Sequence, residues 1–304
     1  MKHTLSVTLT LVALFVAAQL IGVLIISKYV DVQKSLDSGK TEFKSLPEIG
    51  GVQIERPDVA ESISWLYLFV SIIIGTLILL LLIHFGAVWF WKAWFVIAIS
   101  ISLFIAFGAF LPAVAAFVCA VVVAVAKLLK PTTWWRVILQ NVGELFLYGG
   151  LAAIFVPILD LPSISILLLI VSGYDMYAVW KSKHMVKMAK FQMDSGVFAG
   201  LSIPYHRPEE VKKSMSKVAK ANVVERNTHT AVLGGGDVAI PLLFTGTVFK
   251  FMGLTPALLI IPFTTIALAL LLYLAKKDRF YPAMPFLSAG AFIGYAVVYF
   301  AHII

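Results

Sequence analysis

From Ala93 to Ala126 the chain carries no charged residue. Such a run is too long for one crossing of a hydrocarbon core about 30 Å thick, which takes roughly 20 apolar residues. Gly108 and Pro112 divide it, so it reads as two spans joined by a tight turn. The same length criterion places nine spans near residues 5–27, 64–83, 88–108, 111–129, 137–157, 162–180, 230–249, 254–275 and 283–302. A composition of 61% hydrophobic and 13% charged residues agrees, and the expected fold class is an all-α integral membrane protein. The first span follows Lys2 and His3 and exceeds the apolar stretch of a signal peptide, so it reads as an uncleaved signal anchor. Cys119 is the single cysteine, which excludes an intrachain disulfide.

Lysine and arginine set the orientation, because they concentrate on the cytoplasmic side. With the N-terminus inside and the C-terminus outside, the inner segments hold Lys2, Lys92, Lys127, Lys130, Arg136, the ten bases from Lys181 to Arg226, and Lys276, Lys277 and Arg279. The outer side keeps Lys28, Lys34, Lys40, Lys44, Arg56 and Lys250. The net charge of +8 is therefore topological, and nucleic acid is excluded as a partner. Tryptophans 89, 91, 94, 134 and 135 fall where interfacial belts belong. The organisation is an N-terminal bundle, residues 1–160 with an acidic outer loop at 28–63, followed by a region at 161–304 with a basic inner loop at 181–226. That inner loop has an apolar middle, "VFAGLSIPY", and a helix expected after Pro208; a loop of this length is commonly functional.

Of the sixteen Asp and Glu, all but Glu144, Asp175 and Asp237 fall in loops or at span ends. A carboxylate at depth costs several kcal/mol unless it pairs or meets water, so each marks a candidate site. Asp175 precedes Lys181 by six residues at the end of the sixth span, and Asp237 follows Ala231 by six at the start of the seventh. At about 1.5 Å per residue both lie about 9 Å below the inner boundary, on consecutive antiparallel spans. Gly234, Gly235 and Gly236 let a neighbouring helix approach Asp237 closely. Pro241 lacks the N–H that would bond the Asp237 carbonyl, so the helix is expected to be weakened on both sides of the acid. Glu144 shares a helix face with Gln140 and Tyr148, and a hydrogen bond to Tyr148 or to a neighbouring helix is expected ahead of a place in a water cavity.

Two close carboxylates share a proton, so one can activate water as general base while the other polarises a carbonyl. Zinc and serine designs find no support, since HExxH and GxSxG are absent, and no metal or cofactor is expected. The same carboxylates, with a helix broken by glycines and a proline, also suit an ion- or proton-coupled transporter or channel.

"GYDMYAV" and "GGGD" resemble the YD and GxGD motifs of the presenilin and signal peptide peptidase family of intramembrane aspartyl proteases. The family's third signature, PAL, opens its last span; here Pro282-Ala283-Met284 and Pro285-Phe286-Leu287 each match with one substitution. The resemblance implies Asp175 and Asp237 as the catalytic dyad, with Tyr174, Gly234, Gly235 and Gly236 as its setting and a PAL-like triplet beside it. It also implies a nine-span fold, transmembrane substrates with an outside N-terminus, and hydrolysis without a covalent intermediate. The short basic chain looks more like an archaeal or other microbial homologue, in a plasma membrane, than a eukaryotic presenilin. Prepilin-type peptidases share GxGD alone. A helical substrate must unwind before it is cut, and it is expected to pair as a strand with the inner loop or the PAL-like segment. The lipid bilayer is the other partner, and the reading admits a homo-oligomer.

Overall fold

Lipid offers a backbone no hydrogen bonds, so the apolar segments satisfy their N–H and C=O groups internally as helices. The computed structural model describes residues 5–128, 133–182, 188, 191–192, 194–205, 229–275 and 281–303. In chain order these form α1 (Leu5–Lys28), α2 (Val32–Ser38), the short hairpin β1 (Glu48–Ile49) and β2 (Val52–Gln53), α3 (Ser64–His84), α4 (Val88–Gly108), α5 (Ala113–Ala126), α6 (Thr133–Phe155) and α7 (Leu161–Trp180). There follow β3 (Gly200–Tyr205), β4 (His229–Gly234), α8 (Gly235–Met252), α9 (Leu254–Leu274) and α10 (Met284–Ile303). Lys2, His3, Lys130, Lys276, Lys277, Arg279 and the helix expected after Pro208 lie outside the described residues.

Each of the nine expected spans coincides with a helix. Among the described residues, seven are long and apolar enough to cross a bilayer: α1, α3, α4, α6, α7, α9 and α10. The other two depart from expectation. The fourth span, read as 111–129, is helical only over the 14 residues of α5, about 21 Å; Pro112 caps its start. The seventh, read as a helix from residue 230, begins as β4 and turns helical only at Gly235. The backbone of 229–234 instead finds its partners in β3, and the helix starts within the glycine run, with Gly234 as its cap. The junction Gly108–Pro112 behaves as read, with α4 ending at Gly108 and α5 packed back along it.

One core runs through the bundle from Val7 on α1 to Val298 on α10. Helix α1 lies at its centre, packed on α6, α8 and α9 through Leu11, Phe15, Ala18 and Ile26. The outward faces are apolar as well, with Ile74, Leu81, Trp89, Val122, Ile266 and Phe300 exposed, as a lipid-facing surface requires. Burying apolar area cannot drive helices together in lipid, so close contact through small residues does that work. Gly149 meets Ile25 and the backbone of Gly22, and Gly150 lies against the carbonyl of Ser102 on α4.

Residues 29–63 tie one end of the bundle together. The Tyr29 hydroxyl donates to the Ile105 carbonyl (2.6 Å), Arg56 Nε to Ala153 (3.1 Å), Thr41 Oγ1 to Lys250 (2.7 Å) and Ser163 Oγ to Glu61 (2.7 Å). Lys250 Nζ donates to the carbonyls of Pro157 (2.8 Å) and Leu159 (3.1 Å) and pairs with Glu61 (2.9 Å). The ends of α1, α4, α6 and α8 and the starts of α3 and α7 therefore share one side, the alternation that an up-and-down bundle needs.

A methyl at residue 150 would overlap the Ser102 carbonyl oxygen, whereas one at residue 173 would meet nothing within 4 Å. We expect Gly150→Ala to destabilise the folded protein by about 3 kcal/mol and Gly173→Ala to be neutral or stabilising by about 0.5–1 kcal/mol. Thermal unfolding of the two variants in detergent measures the contrast.

Candidate active site

The glycines of "LGGGD" end a strand and begin a helix. Strand β4 pairs antiparallel with β3, from Gly200↔Gly234 to Tyr205↔His229. Gly234 caps α8, and the Gly235 N–H continues the pairing by donating to the Ala199 carbonyl (3.2 Å). Asp237 is thus the third residue of α8, in its first turn. A Cβ at Gly234 would lie 3.2 Å from Asp237 Oδ2, so the carboxylate folds back over the capping glycine, as acids at this position of a helix do. Pro241 stands inside the continuous helix α8. Upstream of Asp237 the chain is a strand rather than a weakened helix.

Asp175 is reached from α7, which packs directly on α8 and α10. It is 5% exposed and Asp237 9%, on helices that are in direct contact. The Met284 N–H donates to Asp175 Oδ2 (3.1 Å). Of the two proline triplets, Pro282-Ala283-Met284 is the one that touches an aspartate; Pro285-Phe286-Leu287 forms the first turn of α10, with Phe286 and Leu287 donating to the Ala283 carbonyl (3.1 Å each). Ser172 and Ser288 hydroxyls meet at 2.8 Å and tie α7 to α10 a turn away. Tyr174 is half-buried on α7 and Gly236 is exposed.

Strand β3 is held on its other edge by α6. The Asn141 side chain makes two bonds to Ser202, accepting from its N–H and donating to its carbonyl (2.9 Å each). Gln140 Nε2 donates to the carbonyls of Phe198 (2.7 Å) and Gly200 (3.0 Å). Opposed residues of an antiparallel pair alternate between bonded and unbonded. Because Ser202 turns both its groups toward Asn141, its partner Val232 must turn its own away from β3. The same alternation applies to Thr230 opposite Pro204, a residue with no N–H to offer. Among the described residues no other backbone group bonds Val232 or Thr230. Among the described residues the outer edge of β4 thus presents an unfilled ladder, on the strand that leads into the helix carrying Asp237.

Several of these groups carry no motif. Gln19, fully buried on α1, donates through Nε2 to the Val238 carbonyl (3.0 Å) beside Asp237. It is the only amide side chain in the first span, the one signal that could have flagged it. Glu144 takes the bond to Tyr148 that its spacing suggests (2.6 Å). Its second partner is Lys127 at 2.7 Å, a residue that the sequence places only among the bases of the inner side. Among the described residues no cluster of His, Cys, Asp and Glu is suited to a metal.

A family model described as signal-peptide peptidase, presenilin aspartyl protease matches residues 49–304. Two solved structures of a presenilin family intramembrane aspartate protease, in space groups C222 and P2, are each 20% identical with a TM-score of 0.61. Both alignments cover 96% of this chain, with 98% and 96% of the respective structures. No curated protein matches the chain.

The two Asn141 bonds predict local behaviour. In Asn141→Ala the amide of Ser202 should exchange with solvent about tenfold faster, the effect of losing about 1.4 kcal/mol of hydrogen bonding. Hydrogen–deuterium exchange followed by mass spectrometry reads it directly, with peptides from α9 as the unchanged reference.

Proposed function

Because the chain belongs to the signal-peptide peptidase and presenilin family of aspartyl proteases, we propose that Asp175 and Asp237 are the carboxylates with which it hydrolyses peptide bonds. The protein is an intramembrane aspartyl protease, integral to the membrane with several crossings, and it acts on transmembrane substrates within the bilayer. Family membership makes hydrolysis, not ion transport, the function of the chain, and supports reading the buried acids accordingly. The observation that carries the assignment is the convergence of the two aspartates, buried on adjoining helices, with a main-chain N–H from Met284 on one of them.

In this mechanism the dyad shares a proton. The ionised member takes a proton from water as it attacks the scissile carbonyl, and the protonated member donates to the carbonyl oxygen. Met284 N–H holds Asp175, and Gly234 leaves room for Asp237 to fold over it. Pro282, Ala283 and Met284 form the platform beside Asp175, and Tyr174, Gly235 and Gly236 complete the setting. A substrate helix that unwinds exposes N–H and C=O groups that lipid cannot satisfy. The outer edge of β4 offers them partners at Thr230 and Val232 by strand addition. The glycines that follow carry no side chains to separate the added strand from Asp237.

The positive-inside count supports an N-terminus in the cytoplasm and a C-terminus outside, so that substrates enter with an outside N-terminus. The mutual anchoring of Glu61, Lys250 and the 29–63 segment fits that topology, because all of them belong to its outer side. The microbial plasma membrane is the setting this reading favours. The division into an N-terminal bundle, 1–160, and a catalytic region, 161–304, is part of the same proposal.

Two outcomes test it. Purified protein should cut a transmembrane peptide in detergent, with a rate that passes through a maximum as pH is raised. Asp175→Asn and Asp237→Asn should each abolish cleavage; mass spectrometry of the fragments then places the cut, and activity retained in either variant rejects the dyad. Val232→Pro removes an N–H that faces away from β3, so the hairpin should persist while kcat/KM drops about tenfold or more. An unchanged kcat/KM would rule out strand addition on this edge.

A further inference from the structure

A third buried carboxylate takes no part in the chemistry above. Glu144 is 0% exposed, and the side chain of its partner Lys127 is 1% exposed. Lys127 follows the last turn of α5 and lays its stem along α6, where Gly143 leaves room for it: a Cβ there would come within 3.2 Å of Lys127 Cε. Both Glu144 oxygens are engaged. Oε1 accepts from Lys127 Nζ (2.7 Å) and Gln140 Nε2 (3.2 Å), and Oε2 accepts from the Tyr148 hydroxyl (2.6 Å).

Two of the three groups bonded to Glu144 reach the same end of the hairpin, one at the start of β3 and one at the residue that follows β4. Gln140 also bonds the carbonyls of Phe198 and Gly200, where β3 begins. Tyr148, 2% exposed, presses its hydroxyl against Gly235, where α8 begins: a Cβ at 235 would lie 3.2 Å from Tyr148 Oη. Gly200 and Gly234 are opposed in the sheet, so both contacts converge on the strand-to-helix junction two residues before Asp237.

Stability alone does not account for such an arrangement. Exchanging a buried ion pair for apolar side chains of similar volume is often neutral or stabilising, because desolvation offsets the attraction. What the pair supplies is a fixed place for two hydrogen-bonding groups that apolar side chains would leave free to move. We propose that Glu144, locked by Lys127, is a positioning residue of the active site: it sets the Tyr148 hydroxyl against Gly235, and with it the place of Asp237, while Gln140 registers the hairpin to the same carboxylate. This rests on Asp237 being a member of the dyad. Misplacing a reacting group by a fraction of a bond length lowers kcat while leaving substrate affinity largely alone.

The test is steady-state cleavage of a transmembrane peptide by the purified full chain, comparing wild type, Tyr148→Phe, Glu144→Gln, the double variant and Asp237→Asn, with thermal unfolding of each. Tyr148→Phe should lower kcat about tenfold or more with KM within about twofold, and the double variant should fall no further than the worse single one, because both act through one hydrogen bond. Full kcat in Tyr148→Phe, or a change confined to KM or to the unfolding midpoint, would mean that the cluster only braces the helices, and the inference is overturned. If Glu144→Gln fails to fold, Tyr148→Phe, which deletes one oxygen from an otherwise unchanged ring, decides alone. Wild-type cleavage by Asp237→Asn would overturn the dyad itself and this inference with it, an outcome distinct from loss of the Tyr148 effect alone.

Discussion

Backbone groups that lie outside a helix and away from water must be satisfied by protein, and residues 229–234 meet that demand as a strand. Everything near the aspartates follows from how that need is met. Strand β3 supplies one ladder for β4, and the amides of Gln140 and Asn141 secure β3 from behind. On the proposed strand addition, the far edge of β4 is where a substrate with the same unmet need pairs. On that proposal a single requirement, partners for main-chain groups without water, links the architecture of the hairpin to the recognition of an unwound transmembrane segment.

The polar side chains within the bundle answer related demands. Gln19 bonds a carbonyl of the first turns of α8, near the gap left by Pro241. Met284 brings a main-chain N–H to Asp175 from the start of α10. Lys127 neutralises Glu144 where neither would be tolerated alone. Around these groups the helices close through small residues, as at Gly149 and Gly150, because van der Waals contact rather than apolar burial holds a membrane bundle together. At the opposite end Lys250 gathers Glu61 and two carbonyls, fixing the end of α8 whose start carries Asp237.

Much of this was legible in the order of residues. The helical spans follow from apolar length, and the turn at Gly108–Pro112 from its two helix-breaking residues. Asp175, Asp237 and Glu144 stand out because charge is costly at depth. The bond from Tyr148 to Glu144 follows from i, i+4 spacing on a helix. The start of the seventh span was misread because "HTAVLG" is apolar enough to continue a helix. Its strand character depends on residues 200–205, some thirty positions earlier. The pairing of Lys127 has no signature of its own either: a lysine at a span end is ordinarily solvated, and only the packing of α5 on α6 buries this one.

The sequence by itself determined that the chain is a helical membrane protein, which of its carboxylates are out of place, and the motifs that carry its family. Those are properties of transfer free energy and local pattern, and they need no knowledge of neighbours. Tertiary structure alone decided that the triple glycine joins a strand to a helix and that Met284 rather than the next triplet meets Asp175. It also decided that Lys127, Gln140 and Tyr148 converge on one acid. These are pairings between segments far apart in the chain, and a hydrogen bond has no signature in sequence until both of its partners have been placed.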